Sequence, residues 1–356
     1  MDVLIIYQFC TFGGVERVVL NRAEAFKKSN RDVNLSVAYL HDSGALKSFQ
    51  EYIHHNDLDD RLSAFLITGN SFPELSRYDL VLVIDTPQVL DRLSNANNVY
   101  IECHTPYINN RQYLRNIPSN IKGIIVPSQT FGDLIEREFD NLPPISVFPN
   151  NVPDMFYASI PQAETEKFSK RPLAYFARLD ELKNFDEARR VFEFYSKDEQ
   201  VMYIVIGNGA DNDDCIETLK KRGLIAKSLI RSGIGFNKAP YLINLVKYHR
   251  GIFISPSKAE SFGLSAAEFI SGGVPVLLSD IPEHRALVEN DERFLYPLGD
   301  IFSAKEKIDF LLENWADVNL KVEEFSHKFH AQTFIAAWDL FVEGNGSMHH
   351  TNLSRT

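Results

Sequence analysis

The chain has 356 residues, 24% of them charged and 44% hydrophobic, which provides material for about two domains with cores of their own and excludes both wholesale disorder and a polytopic membrane protein. With 37 Lys and Arg against 48 Asp and Glu the net charge is −11, so there is no general attraction to nucleic acid or an anionic lipid surface, and an anionic ligand must be caught by local groups. Cys10, Cys103 and Cys215 are dispersed, which excludes a disulfide framework and a cysteine-based zinc site; with no basic leader and no membrane span, the expectation is a cytoplasmic protein.

Val3 to Tyr7 is a short apolar run, followed by Gly13 and Gly14 and an amphipathic stretch from Val15 to Lys28. That order reads as strand, turn, helix. Val33 to Tyr39, Leu80 to Ile84, Val99 to Cys103 and Gly123 to Val126 repeat the strand signal, and such near-continuous apolar runs predict a parallel sheet covered on both faces. Four prolines lie between Asn141 and Pro153, and the polar stretch to Arg171 reads as a connection between domains. The pattern then restarts with Leu173 to Phe176, Val201 to Ile206, Gly251 to Ser255 and Val274 to Leu278, separated by helical segments such as Phe185 to Tyr195 and Asp214 to Arg222. The predicted fold is α/β, with two doubly wound Rossmann-like domains over residues 1–158 and 159–328. Phe329, Phe334, Trp338, Leu340 and Phe341 predict a terminal helix over 329–345, open to packing back on the N-terminal domain, with 346–356 a flexible tail. Thr105 to Gly132 carries Arg111, Arg115 and Lys122, no acid and several aromatics. It reads as a solvated loop and helix, and leaves peripheral membrane contact open.

Ile254 to Asp280 carries the most chemistry. A strand ends at Pro256, a loop runs through Gly263, a helix begins near Leu264, and Gly272 and Gly273 stop it. Loops at the carboxyl ends of parallel strands bind ligands, and a new helix offers free N–H groups and a dipole to an anion, with Gly263 clearing the approach of a phosphate. Glu260 and Glu268 have seven residues between them. One acid falls in the loop and the other about one turn inside the helix, where a carboxylate can accept from two vicinal ribose hydroxyls.

This segment resembles the E-x7-E region of retaining glycosyltransferases of the GT-B fold, family 4 (glycosyl transferases group 1), and the resemblance runs from Val3 to about Asn290. It implies two domains facing across a cleft, with a nucleotide diphosphate sugar as donor. It further implies Glu260 near the transferred sugar, Glu268 on the ribose, and backbone N–H groups from Phe262, Gly263 and Leu264 on the diphosphate. Tyr175 to Asn184 is similar to the family's G-R-L-x3-K-N element, which gives Arg178 and Lys183 the task of neutralising the diphosphate in place of a metal. Gly13 and Gly14 match the family's glycine-rich first loop, which allows backbone approach to donor phosphates or acceptor; glycines at such a turn also serve purely steric needs. His104 resembles the histidine that faces the donor sugar, and Gly207 to Gly209 resembles a further glycine turn. Departures are Ala177 before Arg178, Ser261 after Glu260, Asn150 to Pro153 for Asn-Gly-Val-Asp, and Arg250 with Gly251 for Ala-Asp.

The expected activity is therefore metal-independent transfer of a hexose-type sugar to a glycan or glycolipid. There is no tightly bound cofactor, and a UDP-sugar is preferred mildly to a GDP-sugar. The same fold leaves a sugar-nucleotide epimerase, a phosphorylase or a non-catalytic binding subunit as alternatives. Asp57 with Asp59 and Asp211 with Asp213 fit the D-x-D pattern that holds Mg²⁺ or Mn²⁺ in the other major glycosyltransferase fold; here they read as solvated acids.

Overall fold

The computed structural model describes residues 1–68, 72–94, 96, 98–158, 170–207, 209 and 212–352, without the side chains of 212 and 345–352. Among these residues thirteen strands form two all-parallel sheets, in two compact units.

Unit 1 runs to Pro153. It contains β1 (Asp2–Cys10), α1 (Gly14–Lys28), β2 (Asn34–Asp42), α2 (Leu46–His55), β3 (Leu62–Leu66), β4 (Leu80–Ile84), β5 (Val99–Glu102), β6 (Ile121–Val126), α3 (Gln129–Glu138) and β7 (Ile145–Val147). The sheet order is β3-β2-β1-β4-β5-β6-β7. Central strands are apolar throughout because both faces are covered: every residue of Leu80–Ile84 is buried. Strand order reverses between β1 and β4, and the crevice outside the carboxyl ends at such a reversal is where open α/β sheets bind ligands.

Unit 2, Asp154–Phe329, repeats the plan. It contains β8 (Arg171–Phe176), α4 (Phe185–Glu193), β9 (Val201–Ile206), α5 (Asn212–Lys221), β10 (Ser228–Arg231), α6 (Ala239–Tyr248), β11 (Ile252–Ser255), α7 (Leu264–Ser271), β12 (Val276–Ser279), α8 (Pro282–Leu287), β13 (Leu295–Tyr296), α9 (Ile301–Glu313) and α10 (Trp315–Phe325). Its order is β10-β9-β8-β11-β12-β13, so the reversal falls between β8 and β11. Residues 154–158, placed in the first domain by the sequence reading, lie in this unit. Phe156 packs on Phe236, and the Tyr157 hydroxyl receives a hydrogen bond from Ser271 at 3.1 Å.

The final helix, α11 (Ala331–Asn352), returns to unit 1. Its Phe334 and Trp338 are buried against Phe26 of α1, with ring centroids at 5.3 and 4.9 Å, and against Phe148. Each buried ring contributes about 1.5–3 kcal/mol. Helix continues to Asn352, where the sequence reading has a flexible tail from residue 346. Once residues 331–341 are anchored the helix is already nucleated, and each further residue costs only propagation.

Candidate active site

In unit 2, two loops at the carboxyl ends of β8 and β11 are stitched together. The Lys258 N–H donates to the Leu182 carbonyl at 2.8 Å, and Asn184 Nδ2 donates to the Pro256 carbonyl at 3.2 Å and to Glu187 at 2.7 Å. Asn184 adopts a left-handed conformation, φ +54°, as it enters α4, a conformation that asparagine tolerates better than most residues. Beneath the first loop the buried Tyr175 hydroxyl lies 2.9 Å from the Arg178 carbonyl and 3.3 Å from that of Lys183. The loop that carries both cations thus rests on one tyrosine.

This stitching brings Lys183 Nζ to 2.6 Å from Glu260 Oε1, with 14% and 11% of the two side chains exposed. Burial pushes the Glu260 carboxyl up, and the Lys183 ammonium, foremost among several opposing influences that together outweigh it, helps hold Glu260 below the usual carboxylate range. Arg178 is exposed, with Nε 3.4 Å from Asp180. The sequence reading treats Lys183 and Glu260 as separate contributors, one to phosphate and one to sugar; the fold makes them an ion pair.

Helix α7 starts at Gly263, whose φ of +90° lies in the left-handed region. A Cβ there would meet Leu287 Cδ1 at 3.0 Å and the His284 ring at 3.7 Å, so both conformation and space favour glycine. The N–H groups of Phe262, Gly263 and Leu264 enter no hydrogen bond among the described residues; the first helical bond runs from Ala267 to Gly263. They are the orphan donors of a helix start, an arrangement suited to an anion. Glu268, one turn on, is fully buried, so a ribose hydroxyl reaches it only by displacing what covers it.

The sequence reading missed His284. Its ring is fully buried at the start of α8, and Nδ1 is 2.9 Å from the Ser279 carbonyl. A carbonyl only accepts, so Nδ1 carries the proton and Nε2 faces the Ser255 hydroxyl at 3.4 Å. Burial pushes the imidazole down, which keeps it neutral as the wall behind Gly263.

In unit 1, Gly13 and Gly14 occupy the turn from β1 into α1. The Gly13 N–H donates to Glu16 Oε2 at 2.6 Å, closing the first turn, and a Cβ on Gly13 would lie 3.0 Å from Thr11 Oγ1, whereas one on Gly14 would meet nothing within 4 Å. His104 follows β5 with 11% of its side chain exposed. Its Nε2 is 2.6 Å from Glu102 Oε1, and its N–H donates to Asp85 Oδ2 at 3.0 Å. Glu102, fully buried, also receives Arg22 Nη2 at 2.5 Å and Nη1 at 3.0 Å. Burial pushes Glu102 up, but Arg22 and His104 bring it down to about 2; Asp85 has burial uppermost and is raised. The signal for Glu102 was present as a lone acid ending the apolar strand Val-Tyr-Ile-Glu.

Gly207 and Gly209 prove to be packing glycines. A Cβ on them would lie 2.0 Å from the Ala177 carbonyl oxygen and 2.2 Å from that of Leu179, so the β9 turn supports the loop that bears Arg178. Asp57 and Asp59 sit in the turn before β3, at the amino end of the sheet, with Asp59 3.0 Å from His54 Nδ1. Asp211 is outside the described residues and Asp213 lies in the first turn of α5. Among the described residues no group of three or more His, Cys, Asp or Glu is placed to hold a metal, and no helix is long and apolar enough to cross a membrane.

Residues 159–329 match the family model Glycosyl transferases group 1. Over 94 residues the chain is 32% identical to the O-antigen biosynthesis glycosyltransferase WclY of Escherichia coli, which is 26% of this chain and 24% of that protein. The chain thus spans about a quarter of the length of the curated relatives it matches. Similar solved structures include Anabaena HepE in complex with UDP and glucose, with TM-score 0.77, 16% identity and coverage of 97% of this chain and 100% of that one. TarM of S. aureus follows, with TM-score 0.76, 13% identity and coverage of 95% and 97%. The pneumococcal O-GlcNAc transferase GtfA in complex with UDP and GlcNAc has TM-score 0.70, 12% identity and coverage of 97% and 99%. The two parallel sheets are accordingly arranged as in the GT-B fold of these structures, and residues 159–329 are similar to the Glycosyl transferases group 1 family.

Proposed function

We propose that the protein is a retaining glycosyltransferase of the family 4 kind. It moves a hexose-type sugar from a nucleotide diphosphate, UDP in preference to GDP, to a glycan or glycolipid acceptor in the cytoplasm and without a metal ion. The observation that carries this reading is the Lys183–Glu260 ion pair beside the three open N–H groups of Phe262, Gly263 and Leu264. Complexes of HepE and GtfA with UDP support the base, the O-antigen role in the name of WclY supports the acceptor class, and three free cysteines fit a reducing compartment.

In this reaction the bond from the anomeric carbon to the diphosphate oxygen breaks and the electron pair stays with the phosphate. Arg178, Lys183 and the start of α7 stabilise that growing charge; a charge pair at 4 Å is worth about 4 kcal/mol at an effective dielectric near 20, before desolvation. Lys183 and Arg178 each already have a carboxylate partner, Glu260 at 2.6 Å and Asp180 at 3.4 Å, so the N–H groups at the start of α7 carry a full share of that stabilisation. The acceptor hydroxyl attacks on the same face through an oxocarbenium-like state, and its proton goes to the departing phosphate oxygen. Glu260 orients the sugar, Glu268 accepts the ribose hydroxyls once uncovered, Gly13 and Gly14 let the backbone approach the donor or acceptor, and His104 serves the transferred sugar.

The test is incubation with UDP-glucose, UDP-GlcNAc or GDP-mannose, with and without a lipid-linked saccharide. Nucleoside diphosphate release that requires acceptor, with an α-linked product from an α-linked donor, supports the reading. Release without acceptor, an epimerised donor or a β-linked product overturns it.

A further inference from the structure

Unit 1 holds a chain of contacts that ends on His104. Arg22, on α1, is buried with its guanidinium 5.5 Å from the ring centroid of Phe334 on α11 and 5.6 Å from that of Phe148. From there it grips Glu102 with both terminal nitrogens, at 2.5 and 3.0 Å, and Glu102 Oε1 meets His104 Nε2 at 2.6 Å. An ionised carboxylate only accepts, so Nε2 carries the proton. The other ring nitrogen, Nδ1, enters no hydrogen bond among the described residues. The residue is fixed at a second point, because its backbone N–H donates to Asp85 Oδ2, and Asp85 has a left-handed φ of +40°. Aspartate tolerates this conformation better than most residues, and from it Asp85 holds the histidine backbone at the strand end. Stability is a weak explanation for the ion pair, since a buried Arg–Glu pair is often matched or exceeded by apolar residues of similar volume.

We infer that Glu102, braced by Arg22 and through it by Phe334 of the terminal helix, is the positioning residue for His104, locking the Nε2–H tautomer so that Nδ1 is presented to ligand as an acceptor. Glu102 touches neither donor nor acceptor in this scheme; it acts through His104, as the carboxylate of a Ser-His-Asp triad acts through its imidazole. The terminal helix thereby becomes part of the machinery that orients the site in unit 1. The inference rests on the reading of His104 as the group that serves the transferred sugar, and its test separates the two.

The full chain, labelled with ¹⁵N at histidine, is examined by NMR at a pH where His104 is neutral, with His104→Gln identifying its signals. A protonated Nε2 with a lone pair on Nδ1 is expected, and a protonated Nδ1 in the wild type overturns the inference without any activity assay. Glu102→Gln should mix the tautomers and lower kcat by about tenfold or more while the donor KM stays within about twofold. If that variant fails to fold, Phe334→Leu replaces it: loss of one ring from Arg22 should broaden the His104 signals and lower kcat by a smaller factor, and unchanged signals with unchanged kcat overturn the inference. Wild-type transfer by His104→Gln refutes the role of His104 in transfer, whereas wild-type transfer by Glu102→Gln alone, with His104→Gln inactive, refutes only the positioning by Glu102.

Discussion

At the scale of the residue, the pairing of Lys183 with Glu260 changes what a simple substitution measures. Lys183→Ala removes a cation expected at the diphosphate and also leaves Glu260, mostly buried, without its partner; the second effect should cost about 1–3 kcal/mol of stability. Turnover should fall by about tenfold to a hundredfold, because a cation serving a departing phosphate matters most in the transition state. Adding Glu260→Gln tests the stability effect: thermal melting should recover, whereas turnover should not, since that variant also loses the carboxylate placed at the sugar. Recovery of both would reduce Lys183 to a partner of Glu260. Glu268→Ala should weaken binding of UDP by about 1.5–3 kcal/mol if ribose hydroxyls reach that carboxylate. Calorimetry showing wild-type affinity would remove Glu268 from the nucleotide site, an outcome its complete burial makes worth measuring early.

At the scale of the element, the start of α7 depends on one backbone conformation. Gly263→Ala combines a left-handed φ of +90° with a Cβ 3.0 Å from Leu287, and should cost about 1–3 kcal/mol in urea denaturation. It should weaken UDP binding as well, since the open N–H groups of Phe262 and Leu264 move with the turn; a variant with native affinity and native stability would contradict both limbs. The strands tell a related story about legibility. Nine of the thirteen are plain in the sequence as apolar runs, whereas β3, β7, β10 and β13 are not, and these four are the two edges of each sheet. An edge strand has one neighbour and a partly exposed face, so Ile145–Val147 and Ser228–Arg231 are only half-buried or exposed and need no continuous apolar pattern.

At the scale of the whole molecule, charge and pH join the units' buried acids to stability. Glu102 sits at about 2 against an ordinary 4.5 because Arg22 and His104 outweigh its burial. A carboxyl depressed in the folded state contributes stability that is complete above pH 4.5 and lost as pH falls toward 2, on the order of 3 kcal/mol in all. Asp85 and Glu16 have the opposite sign, since burial raises both; their contribution grows as pH falls. Urea midpoints between pH 6 and pH 2.5 should therefore drop more steeply for the wild type than for Glu102→Gln, and parallel curves would mean that Glu102 titrates normally. A second molecule-wide test concerns metal. If Arg178, Lys183 and the start of α7 supply the positive field, sugar transfer should survive excess EDTA, and an Asp211→Ala/Asp213→Ala double variant should remain active. Collapse in both experiments, with rescue by Mn²⁺ or Mg²⁺, would overturn the diphosphate site proposed above.

The sequence alone determined the two parallel sheets, the strand-end loops and the types of residue in them, because buried strands, glycine turns and helix starts leave local patterns of period and composition. Glu260, Glu268 and Gly263 were nameable on that basis, and Arg178, Lys183 and His104 through the family resemblance of the loops that carry them. Tertiary structure decided their partners: that Lys183 meets Glu260 across 77 residues, that Glu102 joins Arg22 from 80 residues away, that His284 closes the wall behind Gly263, and that Gly207 and Gly209 are there for the carbonyls of Ala177 and Leu179. Such contacts have no local signature. They arise only when parallel strands bring distant loops to one end of a sheet, and the strength of each charge then depends on the burial and the neighbours that the fold supplies.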